Sequence, residues 1–269
     1  MVRPGVVALV LAPLALAAAC ADPAAPPAPI DLRAATGRAD VVPTGVAVDP
    51  TGARYVFDEA SGLYRFGDDG ALDLVLARDA MPDPGVPVRA PFTDLVAIGR
   101  GRFAITALGE GFLLDLGLAS MQPYFCYVPD GLPEDYDPRT DAVTYDEDAG
   151  LLYAQPRTFD AAGNLLASQV ASYAFQTGED LEWRTLAGDV ASGGMAKVPD
   201  VDGLLVAVGS GLRELHGYEL TETIDLAPLG VVCIDGLAVD RVARTLLVLD
   251  GEADRLHELA LADVLRAGR

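Results

Sequence analysis

The sequence predicts an all-β fold, a ring of five four-stranded antiparallel units, and three observations lead there. Beyond residue 30 there is no useful run of helical periodicity, only short alternating or β-branched runs broken by Gly, Asp and Pro, as strands joined by tight turns read. One pattern then recurs: Thr44–Asp58 and Asp235–Asp250 each read as strand, turn and strand, and weaker copies open at Asp94, Asp141 and Gly193. Third, Val46, Val96, Val143, Met195 and Leu237, taken as equivalent anchors, are spaced by 50, 47, 52 and 42 residues. Such periods fit the blades of a β-propeller, typically ~40–50 residues each.

The elements follow in chain order. Arg3 precedes an apolar run from Val6 to Ala19, shorter than the ~20 residues that span a bilayer, so residues 1–19 read as a secretion signal. Leu16-Ala17-Ala18-Ala19-Cys20 resembles a bacterial lipobox, with Ala17 where Leu is usual, and implies lipid attachment at Cys20. Ordinary cleavage around Ala19-Cys20-Ala21 is the alternative. Residues 20–29 read as an Ala/Pro tether and residues 30–269 as one propeller domain. The expected location is therefore the bacterial cell envelope, periplasmic or at the cell surface, with the lipid as the only membrane contact.

Blade one reads as Gly45–Asp49, Ala53–Asp58, Leu63–Phe66 and Leu72–Ala77. The last blade has only Leu237–Val239, Thr245–Leu249 and Arg255–Ala260, so its fourth strand must come from elsewhere. Ile30-Asp31-Leu32 resembles the fourth-strand strings Leu72-Asp73-Leu74 and Ile224-Asp225-Leu226, and an N-terminal strand there would remove an exposed edge. The alternative is a sixth, degenerate blade hidden in 77–92 or 164–176.

With those strings in place, Thr44–Asp58 and Asp235–Asp250 resemble repeats of the NHL and SMP-30/gluconolactonase-like propellers. The resemblance implies the fold, and in SMP-30-like enzymes a metal at one channel mouth, held by Glu and Asn ligands plus an Asp in a string like Asp235-Gly236. Only Asp235 matches that ligand pattern; Thr44 stands where the Glu would be, and the sole asparagine, Asn164, lies in an expected hairpin.

Composition excludes several functions. A formal charge of −21, from 40 acidic and 19 basic residues, argues against nucleic acid and against a polybasic membrane surface. The single lysine, Lys197, is followed by Val, so there is no P-loop; two histidines exclude HExxH, and no GxSxG occurs. Gly99-Arg-Gly101-Arg-Phe-Ala104 falls in a strand-turn-strand, the wrong setting for a dinucleotide loop. His216 and His257 read as two copies of one third-strand position. Cys126 and Cys233 read as free thiols on blades that are not neighbours.

Two residues before each anchor stand Thr44, Asp94, Asp141, Gly193 and Asp235, where each innermost strand begins. Asp94, Asp141 and Asp235 could converge at the channel mouth and share a hard cation such as Ca²⁺, or each could accept local backbone N–H groups. Thr44 with Tyr124, Tyr127 and Tyr136 of the aromatic loop Tyr124–Pro138 are candidate ligand contacts at that mouth. The leading expectation is a binding module for an envelope protein or small-molecule ligand. The alternative is a Ca²⁺-dependent lactonase or esterase-like hydrolase at the same mouth.

Overall fold

In this computed structural model the residues described are 27–67, 70–88, 90–126, 137–186, 193–199, 203–216, 219–221 and 223–267. The chain starts with β1 (Ile30–Asp31) and one helical turn, α1 (Leu32–Thr36), capped by the Asp31 side chain, which accepts from the Ala34 amide. Blade 1 follows as β2 (Pro43–Val48), β3 (Arg54–Asp58), β4 (Gly62–Phe66) and β5 (Leu72–Ala77). Blade 2 is β6 (Phe92–Gly99), β7 (Arg102–Ala107), β8 (Glu110–Asp115) and β9 (Ser120–Cys126). Blade 3 is β10 (Asp137–Asp146), β11 (Leu151–Phe159), β12 (Leu165–Ala174) and β13 (Glu179–Thr185). Blade 4 comprises β14 (Met195–Lys197), β15 (Leu204–Val208), β16 (Gly211–His216) and a divided outer strand, β17 (Glu219–Leu220) and β18 (Ile224–Asp225), both paired with β16. Blade 5 is β19 (Ile234–Asp240), β20 (Thr245–Asp250) and β21 (Arg255–Ala260), and α2 (Leu261–Ala267) ends the described chain.

Each blade is an antiparallel meander, and the sheet order β1-β21-β20-β19 makes the N-terminal strand the fourth strand of blade 5. Ile30 pairs with Leu256 and Asp31 with Arg255. The ring thus has five blades closed by the N-terminal strand, as the repeats predict, and among the described residues there is no sixth blade in 77–92 or 164–176.

Neighbouring blades bury their alternating apolar faces against each other, and this sandwiching is the core. Tyr55 and Phe57 of blade 1 meet Phe103 and Phe92 of blade 2 edge to face, with ring centroids 4.9 and 5.5 Å apart. Val46 and Val56 pack on Leu247, Leu249 and Leu256 across the closing seam. Each such side chain contributes about 1.5–3 kcal/mol by leaving water. Asp49, just after β2, and Asp146 and Asp240, which end β10 and β19, instead fold the hairpin back: Asp49 Oδ1 accepts from the Thr51 and Ala53 amides, Asp146 Oδ1 from Ala149 and Asp240 Oδ1 from Ala243.

Register fixes what reaches the centre. In four blades the pairing of the first two strands skips one residue near the start of the innermost strand, and the skipped residues are Thr44, Thr93, Asp141 and Asp235. The next residue pairs normally and is Gly45, Asp94, Ala142 or Gly236. Small residues suit that position because it abuts the adjacent blade's backbone. A Cβ on Gly45 would stand 2.8 Å from the Leu95 amide nitrogen, and one on Gly236 would stand 3.2 Å from that of Val46. Gly194 behaves alike in blade 4, 2.7 Å from the Leu237 nitrogen. Among the described residues no helix is long and apolar enough to cross a membrane.

Candidate functional site

The start of the innermost strands forms one mouth of the ring, and the skipped residue of each blade is the side chain placed there. A bulged residue leaves the ladder and re-aims its side chain. At the end of the ring where the innermost strands begin, the skipped positions are Thr44, Thr93, Asp141 and Asp235, with Gly193 where blade 4 begins. The sequence spacing placed blade 2 one residue out: its anchor is Leu95, opposite Ile105, as Val46 is opposite Val56 and Leu237 opposite Val248. A slip of one residue moves a side chain to the other face, so Thr93 takes the ring position and Asp94 does not.

Asp94 lies in the seam between blades 2 and 3, 1 % exposed. Its Oδ2 accepts the Val143 amide of blade 3 at 2.9 Å and its Oδ1 the Leu95 amide at 2.7 Å. It occupies the place where blades 1, 4 and 5 have Gly and blade 3 has Ala, and its carboxyl satisfies an amide on the unpaired edge of the next innermost strand. Burial drives its pKa well above the carboxylate range, against the pull of the two amides.

Asp141 is at the mouth but is held by Arg157 of β11, whose Nε donates to Oδ2; both side chains are largely buried, 11 and 15 % exposed. Arg157 also stacks on Phe159, 5.0 Å from the ring centroid. Thr93 donates to the Thr140 carbonyl and shares a 3.0 Å contact with Thr106 Oγ1. Thr44 Oγ1 is shielded from water without a hydrogen-bond partner.

Asp235 has a different setting. Its carboxyl packs against Gly251, where an added Cβ would come within 2.1 Å of Oδ2, and accepts the Gly251 amide. The Cys233 thiol lies 4.0 Å from Oδ1. Partial burial and the nearby charge of Asp250 push Asp235 up to about 6, and burial with the same acidic neighbours raises the Cys233 thiol.

A divalent cation shared by Asp94, Asp141 and Asp235 does not fit this arrangement. Asp94 is turned into a dry seam and bound to amides, Asp141 faces a guanidinium, and no group of three His, Cys, Asp or Glu among the described residues is placed to hold a metal ion. Tyr124, expected at the mouth, is instead on the outermost strand of blade 2, where its hydroxyl donates to the Phe175 carbonyl at 2.8 Å and ties blade 2 to blade 3. Packing of the phenol in that seam pushes its pKa to about 12. Tyr127 and Tyr136 lie outside the described residues, as does Cys20; the side chain of Cys126 is likewise not described, while Cys233 is free.

The two histidines are not copies of one position. His257 pairs with Val248, the register that Arg213 holds opposite Val206, whereas His216 ends β16 opposite Glu219 and is exposed. The opposite mouth, which the sequence reading did not single out, holds a cavity of about 100 Å³ whose lining includes Val48, Ala97, Tyr145, Lys197 and Val239, one residue from each innermost strand. Lys197, the only lysine, sits there with Nζ 3.7 Å from Asp146 Oδ2.

No protein-family model matches the chain, and no curated protein matches it in sequence. Among solved structures, a gluconolactonase from Xanthomonas campestris aligns with a TM-score of 0.50 at 15% identity, over 82% of this chain and 72% of that one. An auxiliary nutrient binding protein from Bacteroides thetaiotaomicron aligns with a TM-score of 0.46 at 9% identity, over 80% of this chain and 58% of that one. The first match shows a gluconolactonase-like propeller fold. It carries no activity across, because propellers host enzymes, receptors and scaffolds alike.

Proposed function

We propose that this chain is a β-propeller binding module of the bacterial envelope, exported and lipid-anchored at Cys20, that holds a small-molecule ligand or an envelope protein at the mouth ringed by Thr44, Asp141 and Asp235. The observation that supports it best is the bulge shared by four blades, which sets one polar residue of each at the same end of the ring while the repeat's other acids serve the scaffold. The pairing of Asp141 with Arg157 supplies an acceptor and donors at fixed places, as ligand recognition needs. The anchor rests on the lipobox-like string ending at Cys20 and the Ala/Pro run after it.

A Ca²⁺-dependent hydrolase is the competing reading, carried by the resemblance of Asp235-Gly236 to a metal-ligand string, and the carboxylate geometry opposes it. Thermal denaturation of the exported chain separates the two. Under the binding reading millimolar CaCl₂ leaves the melting temperature unchanged, while a panel of sugars, organic acids and peptides yields a ligand whose stabilisation is lost in Asp141→Ala. A Ca²⁺-dependent rise that Asp141→Ala removes, together with lactone hydrolysis, would establish the hydrolase instead. Mass spectrometry of the membrane-extracted protein checks the anchor: an unmodified Cys20 excludes it.

A further inference from the structure

Blades 1 and 5 carry the same device in two chemistries. In blade 1, Asp58 at the end of β3 accepts the Val42 amide at 2.6 Å, so it holds the segment that leads into the innermost strand. It also accepts the Ser61 hydroxyl at 2.6 Å, and that hydroxyl accepts from Tyr64 at 2.9 Å. Tyr64 pairs with Val56 as His257 pairs with Val248, so His257 stands in the place of Tyr64 and Asp250 in the place of Asp58.

Blade 5 keeps the carboxylate and loses the hydroxyl between. Asp250 Oδ2 accepts the Val232 amide at 2.6 Å and Oδ1 those of Cys233 and Ala253, at 3.3 and 3.1 Å. Ala253 replaces Ser61. His257 Nε2, in a residue only 2 % exposed, is left without a hydrogen-bond partner, 3.9 Å from Oδ2 of the fully buried Asp250. This nitrogen can gain a charge where Tyr64 cannot.

We propose that His257 and Asp250 form an acid-responsive latch beneath the blade-5 side of the mouth. A proton taken up by His257 draws the Asp250 carboxylate across the remaining gap and slackens its hold on Val232 and Cys233, the residues that position Asp235.

The charged and titratable groups around the latch are few. Arg255 lies on the histidine's own strand, Asp250 on β20, Glu252 on the turn between, and Cys233 and Asp235 on the segment that is held. The blade-4 face opposite is apolar, with Ala196, Val198, Leu205, Ala207 and Leu212 packed on Val248 and Leu259. Burial and Arg255 lower the pKa of His257 and Asp250 opposes them, so the latch is closed at neutral pH and opens only in acid.

The test is amide hydrogen exchange at Val232 and Cys233 between pH 7.5 and 5, corrected for intrinsic rates, on the folded chain without ligand. Protection is expected to fall by about tenfold or more in acid in the wild type and to hold steady in the double variant Ala253→Ser/His257→Tyr, which installs the blade-1 set. Should the double variant not fold, Ala253→Ser alone, which supplies the missing hydroxyl, must weaken the response. Unchanged wild-type protection, or an equal fall in these variants, overturns the latch. Asp235→Asn separates the neighbouring carboxyl: persistence of the response there supports His257 as the sensor, and its disappearance overturns it. None of these readouts depends on the ligand proposed above.

Discussion

Asp94 and Asp235 make an instructive pair, because each opens a similar string, Asp94-Leu-Val-Ala-Ile and Asp235-Gly-Leu-Ala-Val, on the innermost strand of its blade. One residue of register separates their fates. Asp235 is the skipped residue of its strand and stands at the mouth beside Asp250 and Cys233. Asp94 is the residue after the skip and is turned into a seam to hold Val143 of the next blade. Residue type alone therefore does not assign a carboxylate to a site; its position relative to the bulge does.

The comparison can be broken by mutation, with the largest effect at Asp94. Asp94→Leu leaves the Val143 amide buried without an acceptor and is expected to cost about 2–3 kcal/mol in denaturant unfolding, whereas Asp94→Asn, which keeps a carbonyl oxygen, should cost about 1 kcal/mol. The pH dependence has a definite sign. A carboxyl raised above 3.8 by folding contributes stability that is fully present below pH 3.8 and is lost as pH rises through its elevated folded value. The Asn variant removes that slope, and a variant curve parallel to wild type would show Asp94 to be solvated.

A smaller effect is expected from writing the Asp94 solution into blade 1. Gly45→Asp forces a Cβ to within 2.8 Å of the Leu95 nitrogen, so overpacking of about 2 kcal/mol should outweigh any new amide bond. Stabilisation instead would mean that this seam opens to fit a side chain, as the blade 2–3 seam does.

The smallest effect is expected at Asp235. With its carboxyl raised to about 6, mainly by partial burial and then by Asp250, ionisation works against folding as pH rises from 3.8 through 6. Asp235→Asn should therefore stabilise the protein at pH 8, by about 1 kcal/mol once solvent screening is allowed for, and change little at pH 4. Loss of stability at pH 8 would reveal an unrecognised partner for the carboxylate.

Much of the ring was legible because strand alternation and turn residues act locally. Blade 1 was read within two residues at each strand end, and the Ile-Asp-Leu similarity found the closing strand, since Ile30, Leu72 and Ile224 all pair with the third strand of a blade. Register within blade 2 was not legible in the same way. Matching Asp94 to Asp235 maximises identity, yet Thr93-Asp94 against Thr44-Gly45 gives the observed alignment, and the skip that decides between them leaves no mark in composition. Tyr124 illustrates a second limit. An aromatic before a Pro-rich acidic loop suggests a ligand surface, and only the neighbouring blade's carbonyl at Phe175 shows that the hydroxyl is already used.

The closing strand also has a mechanical meaning. Two residue pairs, Ile30 with Leu256 and Asp31 with Arg255, join the N-terminal strand to blade 5, and so few pairs alone hold little. What resists is the residue behind them. Leu32, 1 % exposed in the seam between blades 5 and 1, with its amide bonded to the Asp254 carbonyl at 2.9 Å, acts as a bolt that must be drawn before the ring can open.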